Sequence, residues 1–199
     1  ERMVRENSRP VSADPGVAEV RALAESGNFI QSKKGSITQN TDKTAYIDKL
    51  MSFIDTSKFL PKKIVINSGN GSAGPVIDTL EVRLAGSPIE LLKIHHQPDG
   101  NFPNGIPNPM IIANQAATRD AVIAHKADFG VAFDGDFDRC FLFDENGRFI
   151  DGSYVVGMLA AAFLQKYPKQ TIVYDPRVIY NTQNVIKKMQ GTPALSKSG

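Results

Sequence analysis

Two short apolar runs, Val131-Ala132-Phe133 and Cys140-Phe141-Leu142-Phe143, bracket three carboxylates at alternate positions and one arginine, Asp134-Gly135-Asp136-Phe137-Asp138-Arg139. The apolar runs call for burial and the acids between them resist it, so the segment folds as strand, loop, strand. Acidic groups this close repel one another and are costly to desolvate unless a cation sits among them. On a regular strand, carboxylates at i, i+2 and i+4 lie too far apart to share one small ion, so the segment must curl. Gly135 supplies the backbone freedom for that curl. Asp134, Asp136 and Asp138 are therefore candidate ligands of a hard, oxygen-bound divalent ion, Mg²⁺ before Ca²⁺. A solvated acidic turn is the plainer reading, and the close-set triad beside Arg139 favours the metal. Arg139 could simply pair with its acidic neighbours. As a guanidinium fixed at the edge of a metal site, it is also a fork for two phosphate oxygens.

Around this segment the chain alternates strands with helices from residue 62 onward. Strands are expected over 63–67, 89–95, 128–133 and 139–143, with helices over 75–85 and 114–126. The Asn146-Gly147 pair signals a hairpin. This predicts an α/β fold: a mixed β-sheet with flanking helices, parallel in its βαβ portions and antiparallel at the hairpin. Upstream, helices are expected over 16–27, stopped by Gly27, and over 42–54, capped by Thr41 or Asp42, with a polar connector over 28–40. A new unit begins after Asp151, with helices over 153–166 and 178–190 and strands over 171–174 and 192–195. Its first helix is apolar on several sides, and the unit is too short to bury a core of its own. It reads as an incomplete second α/β unit.

Composition narrows the function. With 41% hydrophobic and 22% charged residues among 199, the chain is ordinary for a globular protein. A net charge of +2 without a basic cluster gives no sign of nucleic acid or membrane partners. The one cysteine, Cys140, excludes an intrachain disulfide and fits a reducing compartment, and its apolar surroundings suggest a packing role. The longest apolar stretch, 155–164, is too short to span a bilayer, and no signal peptide is evident. The cytoplasm is the expected location. The chain opens on Glu1-Arg2 and closes just after a strand, as a segment of a longer protein would.

Other motifs compete with the metal reading. Gly69-Asn70-Gly71-Ser72-Ala73-Gly74 satisfies G-x-G-x-x-G between a strand and a helix. The second strand, however, ends in His95-His96 where a dinucleotide site needs an acid, so tight turning and close helix packing explain the glycines better. An EF-hand would need glycine at Arg139 and helices on both sides. A haloacid-dehalogenase-type phosphatase would use Asp134 as nucleophile, and it stands as the enzymatic alternative. The adjacent His95 and His96 point to opposite faces if they lie on a strand. The Pro- and Asn-rich loop that follows is expected to pack against a neighbouring domain.

Taken together, the motifs resemble a known family. Asp134 to Arg139 is similar to the D-G-D-x-D-R magnesium loop of the α-D-phosphohexomutases. The Asn67-Ser68-Gly69-Asn70-Gly71 turn, the Pro98-Asp99-Gly100-Asn101-Phe102-Pro103 loop and the terminal Ser196-Lys197-Ser198-Gly199 occur in the same order as in that family. The resemblance is strongest to its bacterial phosphomannomutase branch and covers essentially the whole chain. It implies the tail of a first domain over 1–42, a metal-binding second domain over 43–149 and an incomplete third domain over 150–199. The implied reaction interconverts mannose 6-phosphate and mannose 1-phosphate, with glucose phosphate as a further possible substrate, through a phosphoserine and a bisphosphate intermediate. It further implies Mg²⁺ on Asp134, Asp136 and Asp138, a phosphate contact for Arg139 and a substrate contact for Lys197. Two departures stand out. Many members have Gly where this chain has Phe137. The T-A-S-H-N-P serine loop, the G-E-x-S sugar loop and the phosphate-binding last domain of the family have no counterpart here, so this segment alone is expected to be inactive.

Overall fold

The computed structural model describes residues 6–8, 11, 16–29 and 34–197. Residues 30–33 of the expected connector, and Ser198 and Gly199 of the terminal motif, lie outside the described residues. The chain divides into two compact units, residues 1–41 and 42–199. In the first, helix α1 (Ala18–Ser26) buries none of its side chains and stops at Gly27, whose φ of 65° is the left-handed cap expected there. Arg21 and Glu25 pair along its surface.

The second unit opens with α2 (Thr44–Met51), whose N-cap is Lys43 and not the expected Thr41 or Asp42, although the Asp42 carboxylate accepts from the Thr44 amide at 2.8 Å. Its Ile47 is fully buried. Strand β1 (Lys62–Asn67), helix α3 (Gly74–Arg83) and β2 (Ile89–Ile94) form one βαβ unit. Helix α4 (Ala116–His125) then crosses to β3 (Phe129–Phe133), which turns back into β4 (Cys140–Phe143) and β5 (Phe149–Ile150). The sheet order is β2-β1-β3-β4-β5, parallel through β2, β1 and β3 and antiparallel beyond. This is the mixed sheet the strand pattern called for.

The two crossovers run in opposite directions along the sheet, so crossovers of the same hand place their helices on opposite faces. Strand alternation divides the core accordingly. Ile64, Ile66, Phe129 and Val131 meet Ile77 of α3, while Val65, Leu92 and Ile94 meet Val122 of α4. Gly130 faces α4 so closely that a Cβ there would lie 2.7 Å from Val122.

Helix α5 (Gly152–Lys166) starts directly after β5, its first turn capped by Asp151, whose carboxylate accepts from the Ser153 amide. Contrary to the expectation of a unit too short to bury a core, it packs on α6 (Ile179–Lys188) around a small core of Ala160, Leu164, Tyr174 and Ile186, beside the parallel pair β6 (Thr171–Tyr174) and β7 (Thr192–Leu195). Tyr154, Met158 and Phe163 of α5 remain more than half exposed, in keeping with a helix apolar on several sides. No helix among the described residues is long and apolar enough to cross a membrane.

Candidate metal centre

The acidic loop hangs from the carboxyl end of β3, and its last residue leads into β4, with Phe133 and Cys140 paired across it. It curls as the triad required, but the left-handed residue is Phe137, at φ 64°, and not Gly135. The Phe137 amide donates to the Asp134 carbonyl at 3.2 Å, closing the turn. The Phe137 ring packs edge-on against Phe133, with centroids 4.7 Å apart, a contact that offsets the cost of a non-glycine residue in this region. Gly135 contributes its backbone carbonyl instead. Its carbonyl accepts from the Ser72 amide at 3.0 Å and from the Ser72 hydroxyl at 3.3 Å. A Cβ on Gly71 would lie only 2.5 Å from that same carbonyl oxygen. The glycine-rich turn after β1 and the aspartate loop after β3 therefore lock together.

The place follows from the topology. β1 and β3 are neighbours, and the chain leaves their carboxyl ends in opposite directions, toward α3 and toward β4. A crevice opens where connections diverge in this way, and it is where open α/β sheets put their sites.

Asp134 is 1% exposed. One of its oxygens accepts from the Arg139 backbone amide at 3.0 Å, the other from Arg139 Nε at 2.6 Å. Burial pushes the Asp134 carboxyl up, but the backbone and guanidinium hydrogen bonds of Arg139 outweigh it and hold the group below the usual carboxylate range. Asp136 and Asp138 are exposed, and one oxygen from each of the three carboxylates lies within 4.8 Å of the others. Among the described residues this is the only such cluster of acids, histidines or cysteines. A divalent ion that takes oxygens at about 2.0–2.6 Å reaches all three after small rotations of the two exposed side chains. The donor set is all carboxylate, which suits Mg²⁺, Mn²⁺ or Ca²⁺ over softer metals. Arg139 Nε also lies 3.4 Å from Asp138, and about half of the Arg139 side chain stays exposed.

The geometry weighs against the rival readings. Strands flank the loop on both sides, so it is no EF-hand. Asp134 has both oxygens engaged by Arg139 and almost no exposed surface, a poor arrangement for in-line attack on a phosphate. The glycines of the G-x-G-x-x-G turn serve contact, with Gly69 at φ 57° and a Cβ on Gly74 2.1 Å from the His96 carbonyl. His95 and His96 lie beyond the end of β2, not on it, and His95 turns the chain at φ 44°, so strand alternation does not set their directions. His95 lines a cavity of about 350 Å³ with Asn67, Asn104 and Asn108, and burial lowers its pKa, while His96 contacts Ser68 and Asp78. Lys197 follows β7 with its side chain exposed, and among the described residues no hydrogen bond or ion pair joins it to the aspartates. Cys140 is exposed, contrary to the packing role expected of it. It lies at the start of β4, whereas β5 covers only Leu142 and Phe143.

Sequence reading missed the residues that brace the loop. Asn67 donates to Thr118 of α4 at 2.9 Å and accepts from the Gly69 amide at 2.9 Å, all of it buried. Strand alternation could have found this bond, since Asn67 shares its face with Val65, the face that α4 covers.

A sheet flanked by helices on both faces, with three converging carboxylates and an arginine at the switch point, defines an α/β domain with a candidate metal centre. Residues 44–147 match the family described as phosphoglucomutase/phosphomannomutase, alpha/beta/alpha domain II. The chain belongs to the phosphoglucomutase/phosphomannomutase family. Over its full length it is 53% identical to a phosphomannomutase of Salmonella montevideo and 47% identical to a protein named phosphohexose mutases in Xanthomonas campestris, in each case covering 44% of the relative. A crystal structure of a phosphoglucomutase/phosphomannomutase family protein from Burkholderia thailandensis superposes on 92% of this chain and 40% of that one, with a TM-score of 0.77 and 28% identity. The chain thus spans a little under half the length of the relatives it matches.

Proposed function

We propose that Asp134, Asp136 and Asp138 hold Mg²⁺ in a phosphohexomutase that interconverts mannose 6-phosphate and mannose 1-phosphate through a phosphoserine and a bisphosphate intermediate. The observation that carries the reading is the convergence of three carboxylates beside a clamped arginine, in a chain half identical to a phosphomannomutase throughout. A bound divalent cation draws charge off the oxygens of a transferring phosphoryl group. Asp136 and Asp138, exposed on the loop, give the cage its flexible side, and Asp134 anchors it from the core. Arg139 orients Asp134 through Nε and turns the exposed part of its guanidinium to a phosphate oxygen pair. Lys197 meets the sugar phosphate from the third domain. Residues 1–42 belong to the first domain, 43–149 form the metal-binding second and 150–199 open the third. No serine of this sequence lies in a T-A-S-H-N-P context, so the chain by itself binds the cation without turnover.

The test is Mn²⁺ binding to the chain, followed by electron paramagnetic resonance with Mg²⁺ as competitor. One displaceable site, lost in Asp136→Asn, is expected; a wild-type chain that takes up no Mn²⁺ would refute the reading. In a full-length protein carrying this segment, Asp136→Asn is expected to lower kcat for mannose phosphate on the order of a thousandfold.

A further inference from the structure

Behind the glycine-rich turn, Ser68, His96 and Asp78 form a hydrogen-bonded line. Ser68 Oγ lies 3.4 Å from His96 Nδ1, and His96 Nε2 lies 2.8 Å from Asp78 Oδ1. Lys93 donates to the same Asp78 oxygen at 2.9 Å, and this bond is the main reason the Asp78 carboxyl sits below its usual range. Asp78 is then a carboxylate and can only accept, so Nε2 carries a proton toward it. In the neutral ring Nδ1 is therefore the acceptor, and the Ser68 hydroxyl donates.

Serine, histidine and aspartate in this order would suggest a nucleophile. Ser68 has no exposed surface, however, so no substrate can reach its oxygen. The line holds rather than reacts, and what it holds is the turn. The Ser68 backbone carbonyl accepts from the Gly71 amide, and the next residue, Ser72, grips the Gly135 carbonyl between the first two aspartates. At the far end of the turn, the His96 carbonyl sits against Gly74 too closely to admit a side chain. His96 thus contacts both ends of the turn, and the middle of the turn contacts the aspartate loop. The hydrogen bonds of Asn70 to the His95 and Gln97 carbonyls hold the tip of the turn, the Ser68 amide donates to the Ile94 carbonyl at 3.2 Å, and the Ser68 side chain is left to His96.

We propose that His96 is a positioning residue for the aspartate loop, setting through Ser68 where Ser72 meets Gly135. The consequence for metal affinity rests on the cation reading above; the positioning itself does not.

Two variants separate positioning from general support. Asn at position 96 places a polar atom near Nδ1 and keeps the Ser68 contact, whereas Gln reaches the Nε2 position and keeps only Asp78. Hydrogen exchange of the Ser72 amide, measured in the metal-free 199-residue chain, is expected to speed up about tenfold in His96→Gln and in Ser68→Ala, and to stay within about threefold of wild type in His96→Asn. Mn²⁺ affinity is expected to fall in the same order, by about tenfold in His96→Gln, the low end for removing an outer support of a metal site. Equal exchange in all three variants and wild type, or equal acceleration in the Asn and Gln variants, would overturn the proposal. If the wild type binds no Mn²⁺, the cation reading falls, while Ser72 exchange still decides the role of His96.

Discussion

Strand β4 is flanked by two acidic turns that do opposite things with their carboxylates. In the hairpin after it, Asp144 Oδ1 accepts from the Asn146 amide at 2.9 Å and the Arg148 amide at 2.7 Å, and Gly147 closes the turn onto the Asp144 carbonyl. The acid that organises this turn is consumed in making it. In the loop before β4, Asp134 plays the same part, capping the Arg139 amide five residues on and binding its side chain. There, however, two further acids are brought alongside, and Asp136 has no hydrogen bond or ion pair among the described residues, although it is held within 4.8 Å of its neighbours. What separates a site from a turn is acceptor capacity left over after the backbone is satisfied, held together by a fold that does not need it.

The comparison breaks most sharply at the exposed carboxylates. Asp136→Asn removes a ligand and a charge and is expected to weaken Mn²⁺ binding on the order of a hundredfold, since affinity in oxygen cages follows ligand charge. Asp144→Asn keeps an acceptor suited to the same turn and is expected to leave both Mn²⁺ affinity and stability unchanged within about 0.5 kcal/mol. Titration of both variants, with urea unfolding as the control, decides it. Equal weakening in the two would mean that the cation is held by general negative charge and not by the cage.

Asp134 combines both roles, so its loss is felt in the fold. Asp134→Asn leaves Arg139 only its longer contact with Asp138 at 3.4 Å and the buried end of the loop without one strong acceptor. A destabilisation of about 2 kcal/mol is expected from charged hydrogen bonds, at the modest end because Arg139 is half exposed. The pH dependence has a definite sign. The Asp134 pKa is lower in the folded chain than in the unfolded one, so its contribution is fully present above the ordinary carboxylate range of about 4 and is lost as pH falls below it. Acid unfolding should therefore be steeper in the wild type than in Asp134→Asn below about pH 4. Parallel acid profiles would show that the Arg139 contact contributes nothing to stability.

Much of this was legible because apolar runs mark strands well. The strands over 171–174 and 192–195 lie where the pattern puts them, and the three acids could only sit in a loop. Neighbourhood was not legible. That the turn after β1 meets the loop after β3 follows from the order β2-β1-β3, which local residues do not encode. Ser72 and His96 therefore carried no visible sign of their contacts. Cys140 looked buried because its neighbours are apolar, yet β5 is too short to cover it. The curl itself was assigned to Gly135 on propensity, and the left-handed φ falls on Phe137, where the Phe133 ring, brought alongside by the folded loop, supplies an edge-on partner.

That displacement of strain from glycine to phenylalanine is open to a direct test. Phe137→Ala loses the ring contact and keeps the unfavourable backbone, whereas Phe137→Gly loses the ring and relieves it. The glycine variant is expected to be the more stable of the two by about 1 kcal/mol, the reverse of the usual alanine preference. Urea midpoints in the two variants measure the difference. An alanine variant as stable as the glycine one would mean that the backbone relaxes out of the left-handed region once the ring is gone.

The smallest expected effect belongs to the residue that looked most necessary. Gly135 has no positive φ, and a Cβ there would meet only the edge of the Phe102 ring at 3.3 Å and Pro107 at 3.4 Å, in a loop able to give slightly. Gly135→Ala should cost less than about 1 kcal/mol. Gly71→Ala, which drives a methyl into the Gly135 carbonyl itself, should cost about 1–3 kcal/mol and lower Mn²⁺ affinity with it. The pair measured together tells conformational freedom from close approach. If Gly135→Ala proved the costlier change, the aspartate loop would owe its curl to glycine after all, and the turn after β1 would merely lie beside it.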